Sequence, residues 1–276
     1  MGLSIETDLR KRTSEKRRLE IEKYGRMKVY DEILELLRGD EQTAFSLINH
    51  ALAIIDDSID IDDNKKQLNK AKTILRQGFQ DKKMELVETW EKDIFKLGQT
   101  LSKLHKDNFA RAKDIFNEIL NYWEIETQNI GRKRKTLNSS DLDNITLGIG
   151  RSIGLQFLYL LCPNLNKETR NSIASLYGMG IKLADNLSDI REDLKQGYIN
   201  ISKENIKKYN LNVFNLNEGN LGSYKKEELA RIKRYYLEGD AITAKSSKKE
   251  LSHKKPLLLF KEIAHSWLKQ VSEVCS

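Results

Sequence analysis

Only two prolines, Pro163 and Pro256, interrupt this chain. Proline removes a backbone donor and clashes with the preceding helical turn, so a first half without it can form long helices. Sandwiches and βαβ arrays need more turn punctuation than two prolines and 15 glycines provide. A length of 276 residues can bury a sizeable core. The expected class is all-α, a single bundle of long antiparallel helices.

Hydrophobic spacing supports this class. Val29, Ile33, Leu36 and Leu37 fall at helical intervals before Gly39, and a second helix is expected from Glu41 to Ile61. Further amphipathic helices are expected over Leu68–Phe79, Lys83–Leu104 and Asn108–Trp123, then one ending at Pro163 and one from Lys167 to Lys195. Residues 1–24 are charged, with no sustained apolar stripe, and read as a frayed or solvated helix, leaving 25–276 as one α-domain. Tyr209 to Tyr224 reads as a surface loop.

The 48 basic and 41 acidic residues give a net charge of +7, which suits an anionic partner. Two cysteines exclude a disulfide framework and a four-cysteine zinc site, and four scattered histidines argue against a histidine metal site. The first residues lack the apolar run of a signal peptide, so a cytoplasmic location is expected. The apolar window Ile145–Cys162 contains Arg151 and Gln156 and reads as a buried helix rather than a membrane span. Arg132 to Lys135 could meet RNA or a lipid headgroup, but short basic loops are ordinarily solvated. No nucleic-acid partner is expected.

Two acidic segments stand out. SLINHALAIIDDSIDIDD contains Asp56, Asp57 and Asp60, and GIKLADNLSDIREDLKQG contains Asp185, Asp189 and Asp193 at steps of four. Residues four apart share a helix face, so each set forms a one-sided carboxylate row. With 41 acidic residues in 276, roughly six such pairs arise by chance. These two differ in that apolar stretches precede or surround them, which directs the carboxylates toward a cavity or its rim. Magnesium prefers oxygen ligands and binds through a few carboxylates plus phosphate oxygens. Two facing rows could therefore hold two or three Mg²⁺ ions that clamp a diphosphate and favour cleavage of its carbon–oxygen bond. Lys182, Arg191 and Lys195 could add contacts to the anion or serve as intrahelical partners of the acids.

Taken together, these residues resemble the squalene/phytoene synthases of the trans-isoprenoid synthase superfamily. Leu183–Leu211 is similar to that family's second aspartate region, with a D-x-x-E-D core at Asp189–Asp193 and a basic-x-Gly step at Lys195–Gly197. IIDDSID, from Ile54 to Asp60, resembles the first aspartate motif. IGRSIGLQ is similar to the small-residue helix between them, and LARIKRYYLEGD to a downstream helix. The ordered set spans Phe45 to Asp240.

The resemblance implies a helical bundle around a central apolar cavity with both rows at its mouth. It also implies a prenyl diphosphate substrate held through Mg²⁺ and head-to-head condensation of two prenyl chains. It assigns Asp56, Asp60, Asp189 and Asp193 as metal ligands, Asp57 as a supporting acid, and Asp185 as an oxygen ligand where the family usually has Asn. It leaves room for peripheral contact with a membrane surface.

The chain departs from the family at four places. Ala53 and Ser188 stand where arginines are usual, Ile145 stands where a tyrosine is expected, and the His-Ser-x-Ser-Phe motif is missing. Cyclisation or elimination of one prenyl diphosphate is therefore the alternative, and a non-catalytic helical scaffold subunit a further one. Arg151 is a candidate replacement cation, or a charge that reaches solvent. Gly148, Gly150 and Gly154 lack the preceding strand of a dinucleotide motif and suit close helix packing or room for an alkyl chain. His50, Phe157, Tyr159 and Tyr177 could approach a pocket, with core packing the ordinary role for each.

Overall fold

The computed structural model describes residues 19, 21–62, 65–249 and 254–276, without the side chains of 56–62, 248 and 249. Among the described residues there are helices and no strands. In chain order the helices are α1 (Arg26–Leu36), α2 (Asp40–Asp62), α3 (Lys65–Phe79), α4 (Thr89–Lys106), α5 (Ala112–Ile130), α6 (Ser139–Leu161), α7 (Lys167–Ser188), α8 (Ile190–Gln196), α9 (Lys203–Lys208), α10 (Glu218–Lys249) and α11 (Lys254–Val274). No described helix is long and apolar enough to cross a membrane.

Local chemistry sets several of the ends. Asn138 caps α6 by accepting from the Asp141 amide, Asn166 caps α7 by accepting from Thr169, and Ser202 caps α9 by accepting from Asn205. Glu88 and Glu91 form a reciprocal capping box that starts α4 at Thr89, later than the apolar pattern from Lys83 predicts. At the end of α6, the buried Arg170 side chain donates to the carbonyls of Cys162, Pro163 and Leu165. These bonds fix the turn into α7.

α7 lies at the centre, packed against α6, α10 and α11. It crosses α6 backbone to backbone at Gly150 and Gly178. A Cβ on Gly150 would meet the Gly178 carbonyl oxygen at 2.1 Å, and a Cβ on Gly178 would meet that of Gly150 at 2.4 Å. One turn further along α6, Gly154 sits against Ala174. On its far side α7 meets α10 through the Gly180–Tyr236 and Gly239–Tyr177 contacts. The Tyr177 hydroxyl donates to Asp240, which also holds His265 and Lys261 of α11.

The segment expected to be a frayed or solvated helix is docked over its last residues. Ile21 is buried, and the Tyr24 hydroxyl donates to Glu273. Just beyond it, Arg26 stacks on Trp267 at 3.9 Å and donates to Ser266 and Gln270. These contacts fasten α1 across α11.

Gly150→Ala is expected to lower the melting temperature by an amount equivalent to about 1–3 kcal/mol or more, because neither backbone can yield. Gly222→Ala, in open space on α10, should be neutral or stabilise by up to about 1 kcal/mol. Thermal melts of the two variants check both signs.

Candidate active site

The bundle encloses an apolar cavity of about 190 Å³. α2 contributes Leu52 and Ala53 to its wall, and α6 contributes Ile149, Ile153 and Phe157. α1 and α11 close it with Tyr30, Phe260 and Trp267, and Ile21 also borders it. The wall from α7 is Gly178, Ile181, Lys182 and Asp185. The α6–α7 glycine contact and Gly154 also line this space, so small residues serve both packing and cavity shape. Tyr159 and Tyr177 are buried core residues outside the lining, and buried His50 pairs with Asp93 at 3.6 Å.

Glu126, Ile149 and Lys182 border both this cavity and a smaller polar recess of about 40 Å³. Asp193, Arg132, Asn186 and Asn200 complete much of the recess. A turn at Gly197, in the left-handed region at φ 90°, ends α8 and folds the chain back. The Arg134 amide donates to the Gly197 carbonyl at 2.7 Å, and the Tyr198 amide to that of Asp193 at 2.8 Å. Tyr198, Ile199 and Ile201 are thereby buried. Arg132 then donates to the Ile199 carbonyl at 3.1 Å and to Asn200 Oδ1.

Asp193 is the electrostatic centre of the recess. Burial pushes its carboxyl up to about 6, and Asp185 adds repulsion. The charges of Lys182 and Arg132, with a 2.6 Å hydrogen bond from the Asn200 amide, act in the opposite direction. Burial likewise lowers the Arg132 pKa, while Glu126 and Asp193 act to keep the guanidinium charged. Lys182 Nζ lies 2.6 Å from Asp185 Oδ2.

Asp185 and Lys182 border the cavity, Lys182 and Asp193 the recess, and the charges of Lys182 and Asp185 both act on Asp193, across a break in the helix that the spacing did not predict. α7 stops at Ser188, and Asp189 adopts φ −100° and ψ 12° before α8 begins. Asp189 lines a separate outer groove with Arg191 and Lys195. Arg191 pairs there with Glu218. The single helix expected over Lys167–Lys195 is thus two, and the three carboxylates border different spaces: Asp185 the cavity, Asp193 the recess and Asp189 the outer groove.

Arg151 hydrogen bonds to Asn171 Oδ1 at 3.3 Å and lies in the field of Glu118. Asn171 is about 20 Å from Asp185 along α7 at the helical rise. The candidate replacement cation is therefore remote from the recess. Asp56, Asp57 and Asp60 lie on the last turns of α2, and their side chains lie outside the described residues.

Sequence reasoning missed two site residues. Buried Glu126 connects cavity and recess, and Arg132, read as part of a solvated loop, is only 7% exposed. The one signal for Arg132 was its basic loop; Glu126 carried none beyond its place on an amphipathic helix.

Among the described residues no group of three His, Cys, Asp or Glu side chains is poised around a metal. The recess nonetheless suits a hard cation. It holds an incompletely neutralised carboxylate, Asp193, and the Oδ1 of Asn186, which belongs to a residue 8% exposed and has no hydrogen-bond partner among the described residues. Such oxygen donors match the preference of Mg²⁺.

In sequence, the chain matches no family model and no curated protein. In structure, it is similar to squalene synthase HpnC from Alicyclobacillus acidocaldarius, at 15% identity and a TM-score of 0.64, over 93% of this chain and 91% of that one. It is also similar to a dehydrosqualene synthase solved with a ligand, at 16% identity and a TM-score of 0.62, over 91% of this chain and 99% of that one. The chain has the isoprenoid synthase fold of these neighbours.

The Asp193 environment makes a testable statement about stability. Its folded-state pKa of about 6 lies above the unfolded value of about 3.9, so its ionisation favours unfolding, increasingly as pH rises from 4 to beyond 6. In EDTA, Asp193→Asn should raise the melting temperature at pH 7.5, with the gain vanishing near pH 3.5. A pH-independent difference would contradict this account of the site.

Proposed function

We propose that the chain is a squalene/phytoene synthase-like enzyme that ionises an allylic prenyl diphosphate in a Mg²⁺-dependent reaction. The observation that carries this reading is that an apolar cavity and a polar recess adjoin, with Glu126, Ile149 and Lys182 bordering both. The cavity suits a hydrocarbon tail, and the polar recess beside it offers charged groups to the oxygens of a diphosphate at the cavity mouth. The fold shared with a squalene synthase and a dehydrosqualene synthase supports the same assignment.

Lys182 and Arg132 donate charge-assisted hydrogen bonds to the diphosphate oxygens. Mg²⁺ held by Asp56, Asp60, Asp185, Asp189 and Asp193 would supply the further positive charge that stabilises the departing diphosphate. In sequence, Asp56 and Asp60 follow Leu52, a cavity residue, at steps of four. The allylic carbon–oxygen bond breaks, its electron pair leaves with the diphosphate, and an allylic cation remains in the cavity. Ile149, Ile153 and Phe157 keep water from that cation, and the rings of Phe157 and Tyr122 offer it their π faces.

Condensation of two prenyl chains is the first form of this reaction. Cyclisation or elimination of one substrate is the second, favoured by Ala53. That residue stands where the family usually carries an arginine, is 4% exposed and borders the apolar cavity. It supplies no charge for a second diphosphate.

Incubation of the purified chain with geranyl, farnesyl or geranylgeranyl diphosphate and Mg²⁺ tests the reading. Release of inorganic diphosphate is expected, abolished by EDTA and reduced about 10²-fold or more by Asp193→Ala, the scale of losing a principal electrostatic stabiliser. A product of doubled chain length marks condensation, and a hydrocarbon or alcohol of unchanged length marks the one-substrate reaction. No diphosphate release from any of the three substrates would overturn the enzymatic reading in favour of a scaffold.

A further inference from the structure

Lys182 lies one turn before Asp185 on α7, and the two side chains of this pair are 26% and 28% exposed. A lysine on a solvated helix face would form such a pair at little gain. Here the ammonium is held where the apolar cavity meets the polar recess. It is also the strongest favourable charge acting on Asp193. Two acids of the second row therefore already share a positive charge supplied by the chain.

We propose that Lys182 is a tethered counter-ion that takes the place of one divalent cation between Asp185 and Asp193. An ammonium then meets the diphosphate on this side of the mouth. The inference rests on the isoprenoid synthase reading and refines its ligand set: Asp185 holds Lys182, and metal binding falls to Asp56, Asp60, Asp189 and Asp193.

Two physical arguments favour the lysine over a metal at Asp185. Attachment to the same helix gives the ammonium a high effective concentration at its carboxylate, which a dissolved ion must exceed. A metal entering there would also have to displace the ammonium from its 2.6 Å contact with Asp185 and bear the repulsion of a cation held at the same mouth. The three donors of a lysine can meanwhile turn toward phosphate oxygens without leaving the recess.

The test is a titration of Mn²⁺ into the metal-free full-length chain with inorganic pyrophosphate, counting bound ions from loss of the free Mn²⁺ paramagnetic resonance signal. Lys182→Gln is expected to bind about one more Mn²⁺ per chain than the wild type. Lys182→Arg, which keeps the charge, should bind the wild-type number. Cooperative thermal melts establish that each variant is folded, and Lys182→Met replaces Lys182→Gln if the latter is not. Equal Mn²⁺ binding by the wild type and the neutral variant overturns the proposal and leaves the metal-dependent reading standing. Absence of Mn²⁺ binding in every variant overturns both.

Discussion

The backbone contact between Gly150 and Gly178 is the constraint on which the rest of the molecule depends. Any side chain at either position would collide with a carbonyl that belongs to a helix and cannot move alone. With both positions empty, α6 and α7 approach closely enough for Ile149, Ile153 and Phe157 to share a wall with Ile181, Lys182 and Asp185. The same crossing sets the height of the α7 carboxylates above the apolar space. Tyr177 and Tyr236, packed against glycines across the α7–α10 interface, hold α7 from its far side.

Charge is arranged around this frame with little slack. A carboxylate removed from water is costly unless partners replace its hydration. Asp193 is compensated only in part, by Lys182, Arg132 and Asn200. A recess with an under-neutralised acid and an amide oxygen that no described residue pairs is less stable than one fully paired, and it is ready to take up positive charge. The outer groove beside it is different in kind: Asp189, Arg191 and Lys195 border it, and Arg191 is already paired with Glu218.

The helical class and the packing role of the glycines were legible because each depends on spacing within one helix. Arg132 and Glu126 were not, since their placement depends on distant chain. Arg132 is buried by the carbonyl of Ile199 and the amide of Asn200, which the Gly197 turn carries back under α6. The same turn explains the division of the acidic row. No proline or glycine separates Asp185 from Asp193, so local sequence predicts continuous helix, whereas burial of Tyr198, Ile199 and Ile201 accompanies a break at Ser188. Ile21 was read as part of a charged, frayed or solvated helix because scattered apolar residues among charges form no sustained stripe, yet it borders the cavity.

The central claim is that a diphosphate sits above the apolar cavity, between the end of α2 and the recess of Asp193. A crystal structure of the chain grown with Mn²⁺ and inorganic pyrophosphate tests it most directly. The account predicts anomalous density for Mn²⁺ bridging pyrophosphate to Asp193 and to Asp56 or Asp60, with Lys182 and Arg132 on the phosphate oxygens. Pyrophosphate found only in the outer groove beside Arg191 and Lys195, with no metal at Asp193, would contradict it.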